Sequence, residues 1–318
     1  MLKAKQLTAL LARSAAAFLL AAMVLPAFAQ DKFPSRPITI MIAFPPGGAN
    51  DLIARIIAPK LGEILGVPVV VDNKPGGNGA IGTAYVVNAK PDGYTLTLGS
   101  TSVLSISPNT ILNLPYNPVT DLAAINTVAS SPAILAVNPA LPVKTLGDLV
   151  ALAKTRRVTL ASAGVGGISH LNIEFLKMET KGDFVNVPYK GAAPAMGDTI
   201  GGHVDGIVMD YAPLAATVSQ GRLRGLITSK QIGSIEKSNL MIAAWFAVMA
   251  PLKTPKDVIA TLNAALVKAA NDPDVRERFA KLNIDTMTQS SSDDAMAFIK
   301  ADSARWGEVV KTSGFKPE

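Results

Sequence analysis

Near residue 40, a strand-like run of apolar residues ends in a Pro- and Gly-rich turn and leads straight into a helix. The run Ile38–Phe44 stops at Pro-Pro-Gly-Gly, and Asp51–Leu65 follows as a helical segment. The same alternation continues with Val67–Val71 as a strand, Ala80–Ala89 as a helix and Tyr94–Gly99 as a third strand. This βαβαβ order predicts a parallel sheet covered by helices, and hence an α/β fold.

The rest of the chain repeats the pattern and indicates a second α/β half. The further predicted strands are 133–137, 158–162, 185–188, 206–209 and 223–228, and the further predicted helices are 146–154, 170–180, 194–201, 255–271, 273–282 and 292–312. Each half has its own Gly-rich turn between a strand and a helix, which predicts two lobes that face one cleft. We expect residues 30–130 and 247–318 to form lobe 1 and residues 131–246 to form lobe 2. The crossings are expected near Ser130–Pro132 and near Trp245–Ala250, and the C-terminal helices should pack on lobe 1.

The N-terminus has the pattern of a secretory signal peptide, predicted to span residues 1–29. Basic residues precede a short apolar stretch, and Ala27-Phe28-Ala29 has the form of a cleavage site. Removal of this segment lowers the formal net charge from +6 to +3, which is too small a charge to suggest nucleic acid as a partner. The chain contains no Cys, so it uses no disulfide and no acylated-Cys anchor. These observations predict a protein that is free in the periplasm.

The first Gly-rich turn, Pro46-Gly47-Gly48-Ala49-Asn50-Asp51, predicts an anion site. The ligand edge of such a sheet lies beyond the carboxyl ends of its strands. There the first turn of a helix exposes unpaired N–H groups and partial positive charge. Gly47 and Gly48 let the backbone approach a ligand closely. The turn lacks the Gly-Lys-Ser/Thr ending of a nucleotide P-loop. The alternative is that Asn50 or Asp51 merely caps the helix.

A second Gly-rich turn, Gly77-Asn78-Gly79-Ala80-Ile81-Gly82, matches the G-x-G-x-x-G pattern of dinucleotide sites. Such a site also needs an acidic residue at the end of the next strand, to bind the ribose. Here that strand ends at Gly99-Ser100-Thr101, so the match is weak and we expect no cofactor. Ser100, Thr101 and Ser102 could instead donate hydrogen bonds to a bound acid, or they could form an ordinary polar turn.

The second half offers a matching set of polar groups. Gly166, Gly167, Ser169 and His170 lie at a turn between a strand and a helix, and Asp210 and Tyr211 follow another strand. His170 could donate to an anion or serve as an ordinary structural histidine.

Catalytic motifs are weak in this sequence. A triad could be drawn from Ser100, His170 and Asp210, but no G-x-S-x-G motif presents the serine. No His, Asp or Glu cluster has the spacing of zinc ligands, so we expect no metal. These features predict a binding protein rather than an enzyme, with a serine hydrolase as the remote alternative.

Four blocks of the sequence resemble the Bug family, the periplasmic receptors of tripartite tricarboxylate transporters. They are FPSRPITIMIAFPPGGANDLIAR, VVVDNKPGGNGAIGTAYVVNAKPDGYTLTLGS, GGISHLNIEFLK with VNVPYKGAAPAMGDTIGGHVD, and WFAVMAPLKTP. The resemblance implies a two-lobed, type II-like periplasmic-binding-protein fold that closes on a small organic acid. It implies that the turns Pro46–Asp51 and Gly166–His170 hold the ligand carboxylates. The implied ligands are di- or tricarboxylates, acidic amino acids or aromatic acids.

The resemblance also implies a partner, and the sequence departs from the family pattern at two places. The implied partner is a two-component membrane permease or, in a sensing receptor without a transport role, a sensor kinase; we expect a monomer. Gly167 stands where relatives usually have Ser, and the segment between Ser229 and Trp245 is shorter than expected. The second departure could alter closure or docking to the partner.

Overall fold

The structure is a computed structural model that describes residues 32–229, 242–313 and 315–317. The predicted signal peptide and most of the shortened segment after Ser229 lie outside the described residues. The chain divides into a short unit that ends at Ser35 and a larger unit that begins at Arg36. Residues 32–35, the described part of the short unit, have no regular secondary structure.

The larger unit alternates strands and helices, as the sequence predicts. The strands are β1 (Ile38–Ile42), β2 (Val69–Asn73), β3 (Thr95–Ser100), β4 (Leu122–Ser131), β5 (Ala133–Val137), β6 (Val158–Ser162), β7 (Phe184–Pro188), β8 (Gly206–Asp210), β9 (Arg224–Thr228), β10 (Ala244–Pro251) and β11 (Asp285–Thr286). The helices are α1 (Ala49–Leu65), α2 (Ala80–Val87), α3 (Ser107–Thr110), α4 (Leu146–Ala153), α5 (Ile168–Thr180), α6 (Ala192–Gly201), α7 (Tyr211–Ser219), α8 (Lys256–Ala270), α9 (Pro273–Lys281) and α10 (Ser292–Ser313). A 3₁₀ turn (Gly77–Gly79) precedes α2, and a π-helical turn (Ser102–Ile106) precedes α3.

The strands form two separate sheets. The first sheet has the order β11-β4-β10-β3-β1-β2, and the second has the order β7-β6-β8-β5-β9. In the first sheet β1 pairs in parallel with β2 and β3, which confirms the predicted βαβαβ unit. Helices α8 and α10 contact β4, and α9 contacts α1, so the C-terminal helices pack on the first sheet as predicted. The described residues therefore form two β-sheets flanked by helices, and the predicted α/β fold class is confirmed.

Both sheets are mixed rather than mostly parallel. Strand β10 runs antiparallel to β3 and to β4, and in the second sheet β5 runs antiparallel to β8 and β9. Parallel neighbours require a crossover helix between them, and the units that contain such helices do form parallel pairs. Strand β10 instead enters the first sheet only after the chain has built the second sheet. It therefore fills a gap in the first sheet without a local crossover.

Several elements are absent from the sequence predictions. Strands β4 and β10, the π-helical turn and α7 were not predicted. Residues 245–250, expected at a crossing between lobes, lie inside β10 in the middle of the first sheet. The Nε1 group of Trp245 there donates to the Asp302 carboxylate at 2.8 Å. Of the described helices, none combines the length and apolar character needed to cross a membrane.

Glycines let α2 pack closely against β1. A Cβ atom added at Gly82 would lie 2.5 Å from the Lys74 carbonyl oxygen and 2.7 Å from the Ala43 Cα atom. Gly82 is the last glycine of the G-x-G-x-x-G match, so in this chain that position serves helix–strand packing. The close contact involves backbone atoms, which cannot move aside as a flexible side chain can.

Substitution of Gly82 should therefore be costly. We expect Gly82→Ala to lower the free energy of unfolding by about 3 kcal/mol, because overpacking against fixed backbone atoms forces α2 away from the sheet. The matched control is Gly197→Ala in α6, where an added Cβ has no neighbour within 4 Å. That change should raise the free energy of unfolding by about 0.5–1 kcal/mol, because Ala is the better helix residue. Urea unfolding of both variants measures the difference, and equal stabilities would contradict the packing account.

Candidate functional site

The first Gly-rich turn ends at an uncapped helix N-terminus. Gly48 is the N-cap residue of α1, and no side chain caps that helix end. Gly47 has φ +85°, in the left-handed region that favours glycine. Its N–H donates to the Asp51 carboxylate at 3.0 Å. The turn thus leaves the first N–H groups of α1 without a side-chain cap. Asp51 stabilises the turn by accepting the Gly47 N–H.

Asp51 is a structural residue rather than a cavity residue. It is buried and accepts hydrogen bonds from Arg55 Nε at 3.0 Å and from Asn73 Nδ2 at 3.1 Å. Burial acts to raise the pKa of Asp51, but the hydrogen bonds from Arg55, Gly47 and Asn73 outweigh it and the pKa is lowered. Asp51 is therefore ionised at neutral pH, and its charge is committed to Arg55 and the turn.

The second Gly-rich turn has the same construction at the start of α5. Gly166 has φ +69°, and Gly167 is the N-cap residue of α5 with no side-chain cap. The Gly166 N–H donates to His170 Nδ1 at 3.0 Å. The Ser169 hydroxyl oxygen accepts from the Ala163 N–H at 3.1 Å. His170 and Asp51 therefore have the same role in their turns: each side chain accepts a hydrogen bond from the backbone N–H of the residue four positions earlier.

Hydrogen bonds join the second turn to residues that lie between strands β2 and β4 of the first sheet in the chain. Asn78 Nδ2 donates to the Val165 carbonyl at 2.7 Å, and the Thr110 hydroxyl donates to the Gly166 carbonyl at 2.9 Å. The Ile168 N–H donates to the Ser102 hydroxyl oxygen at 3.2 Å. Residues of both uncapped helix ends line one cavity.

We call this space the inner cavity; its volume is about 60 Å³. It is lined by Phe44, Pro45, Gly48, Ala49, Asn50, Asn78, Ser100, Ser102, Ala163, Gly167, Ile168, Ser169, Gly191, Ala192, Met209, Asp210, Pro213 and Ala244. Of these residues, none is a Lys, Arg or His. The N-terminus of α6 also reaches this cavity, and its N-cap residue Gly191 again has no side-chain cap. Three helix N-termini therefore converge on a small space that has no side-chain cation.

Asp210 is the single acidic residue among the described residues that line the inner cavity. It precedes α7 as the N-cap residue, but its side chain does not cap that helix. Burial raises the pKa of Asp210 to about 7. The carboxyl group is therefore protonated in a substantial fraction of molecules at neutral pH, and in that form it can donate a hydrogen bond.

A second space, which we call the outer cavity, has a volume of about 730 Å³. Its lining residues are Ala43, Phe44, Pro45, Pro75, Gly76, Gly77, Asn78, Gly79, Thr110, Ile111, Ala163, Gly164, Val165, Gly166, Pro188, Tyr189, Lys190 and Gly191. Its volume lies in the range of about 300–1,000 Å³ that is usual for small-molecule sites.

Nine of the fifteen site residues predicted from the sequence line one of the two cavities. The inner cavity is lined by Gly48, Ala49, Asn50, Ser100, Ser102, Gly167, Ser169 and Asp210, and Gly166 lines the outer cavity. Neither cavity is lined by Pro46, Gly47, Asp51, Thr101, His170 or Tyr211. Thr101 is buried and its hydroxyl accepts from the Trp245 N–H at 2.8 Å, so it ties the end of β3 to β10.

Sequence reasoning missed the contributions of Asn78, Gly191 and Ala192. Asn78 was considered only within the dinucleotide pattern, yet it lines both cavities. A signal for Gly191 was available, because a glycine stands before the predicted short helix without a Ser, Thr, Asp or Asn cap between them. That arrangement leaves the helix N–H groups free for a ligand.

The residues of the drawn catalytic triad are not joined to one another. Ser100 and Asp210 line the inner cavity, but His170 Nδ1 accepts from Gly166, and His170 Nε2 lies 3.7 Å from the Glu174 carboxylate. Among the described hydrogen bonds, none links Ser100 to His170 or His170 to Asp210. In the described ranges no group of three or more His, Asp or Glu side chains is placed to hold a metal ion.

Two mixed α/β sheets with helix N-termini around a shared cavity are the architecture of a two-lobed binding protein. The chain belongs to the tripartite tricarboxylate transporter receptor family, whose family model, described as "Tripartite tricarboxylate transporter family receptor", matches residues 53–315. Protein BugT of Bordetella pertussis is 33% identical over 303 residues, which cover 90% of this chain and 92% of BugT.

Solved structures of related proteins have the same fold. The periplasmic binding protein BugD is 28% identical with a TM-score of 0.84, and the alignment covers 90% of this chain and 100% of BugD. The protein Rpa4515 from R. palustris, solved with adipate, has the same identity, TM-score and coverage. The family is described as a receptor family and BugD as a periplasmic binding protein, which agrees with the prediction of a binding protein.

Proposed function

We propose that this protein is a periplasmic receptor that captures a small carboxylate between its two sheets and delivers it to a membrane permease. The observation that carries the proposal is the convergence of the N-termini of α1, α5 and α6 on the inner cavity, with no basic residue among its lining residues. Each helix N-terminus carries about half a positive charge and N–H donors that have no partner within the helix, although the Ile168 N–H of α5 already donates to the Ser102 hydroxyl oxygen. A carboxylate ligand would interact with both the partial positive charge and the N–H donors.

Side chains would complete the hydrogen bonding to the carboxylate. Ser100 and Ser102 line the inner cavity from the end of β3. The Ser102 oxygen accepts from the Ile168 N–H, so its own O–H proton is free to donate. Where the bound ligand excludes water from the cavity, each of these hydrogen bonds would be stronger than its equivalent in water. Asn50 fixes the start of α1 by donating to the Leu98 carbonyl at 2.9 Å.

The two sheets would act as the cores of the two lobes, with the chain changing lobe at two places. Strand β4 of the first sheet ends at Ser131, and strand β5 of the second sheet begins at Ala133, so Pro132 alone separates them. The chain returns before β10, which begins at Ala244. This moves the proposed boundaries by a few residues from 130/131 and 246/247. Hinge motion at these two crossings would let the lobes close on the ligand.

The proposed location and partner rest on the family. A signal peptide over residues 1–29 would export the chain, and a two-component permease would accept the ligand at the membrane. The adipate in Rpa4515 supports a carboxylate as the ligand class.

A thermal-shift screen of carboxylates tests this function. Saturation at about 100 times Kd stabilises a protein by about 2.7 kcal/mol, so a true ligand should raise the melting temperature by several degrees. The control for each acid is its methyl ester, which has the same body without the anion and should give no shift. The protein should return each acid chemically unchanged. A broad panel in which no acid raises the melting temperature would contradict the proposed function.

A further inference from the structure

The inner and outer cavities lie next to each other. Phe44, Pro45, Asn78, Ala163 and Gly191 line both of them. The inner cavity, at about 60 Å³, is far smaller than the outer cavity, at about 730 Å³. A ligand with a large body that is bound by its carboxylate in the inner cavity would therefore place that body in the outer cavity.

The outer cavity is apolar and glycine-lined rather than charged. Its lining residues include the apolar Phe44, Pro45, Ile111, Val165 and Pro188. Lys190 is the single charged residue among the described residues that line it, and that residue is exposed to solvent. An ion pair with so exposed a lysine contributes little, because water and salt screen it.

The apolar walls are held in place by close packing. Phe44 lies against Gly79, where an added Cβ would come within 3.0 Å of the Phe44 ring. Pro45 lies against Gly191 in the same way, with 3.0 Å from an added Cβ to Pro45 Cγ. The Tyr189 hydroxyl donates to the Asp198 carboxylate at 2.7 Å, which fixes its ring. These contacts fix the apolar walls in the arrangement that the structure shows.

We propose that the substrates are monocarboxylic acids with a bulky apolar body: the carboxylate sits in the inner cavity and the apolar body fills the outer cavity. This inference rests on the proposed function and specifies its substrate class. A short di- or tricarboxylate would leave the outer cavity to water and would face its further carboxylates toward apolar walls. Removing a charge from water without a partner is costly, so such acids should bind less well.

Calorimetric titration of a straight-chain series, from butanoate to octanoate, tests the inference. Each added methylene that leaves water should lower Kd about fourfold, the equivalent of about 0.8 kcal/mol. The sharpest single comparison is hexanoate against adipate, which have the same number of carbons and differ in whether the far end is a methyl group or a carboxylate. We expect hexanoate to bind more tightly.

A pair of variants assigns the effect to the outer cavity. Ile111 lines the outer but not the inner cavity, whereas its neighbour Leu112 lines neither and is 61% exposed. Ile111→Ser should weaken octanoate severalfold and leave butanoate unchanged, and Leu112→Ser should change neither.

The outcomes separate the inference from the function on which it rests. A fourfold gain per methylene, with hexanoate tighter than adipate, supports both. Binding of adipate or citrate in preference to hexanoate, with no gain along the series, overturns the inference and leaves the proposed function standing. Failure of every acid, mono- or polycarboxylic, overturns both.

Discussion

Ala192→Asp should reduce the affinity for a carboxylate ligand by about a hundredfold or more. Ala192 is the first residue of α6 and lines the inner cavity. An aspartate there would place its negative charge where the ligand carboxylate binds. Two like charges about 5 Å apart at an effective dielectric constant near 20 repel by about 3 kcal/mol, which corresponds to that loss. Calorimetric titration with the best acid from the thermal-shift screen measures it.

The fold should tolerate this substitution, and a neighbouring residue supplies the control. An acidic residue in the first turn of a helix is favourable, so Ala192→Asp should unfold at or above the temperature of the unchanged protein. Ala193→Asp carries the same charge one residue later, at an exposed position that lines neither cavity. It should keep nearly full affinity. Equal affinities for the two variants would show that the anion does not bind at the α6 N-terminus.

Carboxylate binding should weaken as the pH rises above about 7, through Asp210. The pKa of this group is raised to about 7 by burial, and the group lines the inner cavity. Below that pH the protonated carboxyl can donate to the ligand, and above it the ionised carboxylate repels the ligand. For one such group, Kd should rise about thirtyfold from about pH 6 to pH 8.5, while the ligand stays ionised throughout.

Asp210→Asn isolates this effect. The asparagine amide is neutral at every pH and remains a donor, so Kd should be nearly constant over the same range and close to the low-pH value of the unchanged protein. Asp205→Asn serves as the comparison, because Asp205 lies away from both cavities and is paired with Arg156. That variant should keep the pH dependence. A Kd that falls as the pH rises would contradict the assigned role of Asp210.

Local chemistry made much of the fold predictable, but not β4 and β10. The helices and the parallel strands have local signals, such as the Thr145 cap of α4, whose hydroxyl oxygen accepts from the Asp148 N–H. Strand β4, by contrast, contains Ala, Asn, Thr and Ser, and it is buried on both faces. Its Asn126 side chain donates to Asn263 and to the Gln289 carbonyl, more than a hundred residues away. Partners that distant leave no local pattern.

The candidate site was predictable where backbone chemistry defines it. Glycines before a helix mark an uncapped N-terminus, and this rule located the starts of α1 and α5. The rule did not predict whether the side chains of Asp51 and His170 would line the cavity or bond to their own turn. Asp51 and His170 both fold back to accept an N–H from their own turn, and that choice depends on Arg55, Asn73 and Glu174 around them.

The absence of a cation from the lining of the inner cavity has a consequence for how such a receptor can change over evolution. Main-chain N–H groups are supplied by every residue except proline, so mutation rarely deletes them. Selection can therefore exchange Ile111, Val165 or Tyr189 and alter which molecules are accepted, while recognition of the acidic head group persists. A new specificity could then arise by successive mutations, each of which leaves the affinity for the carboxylate group intact.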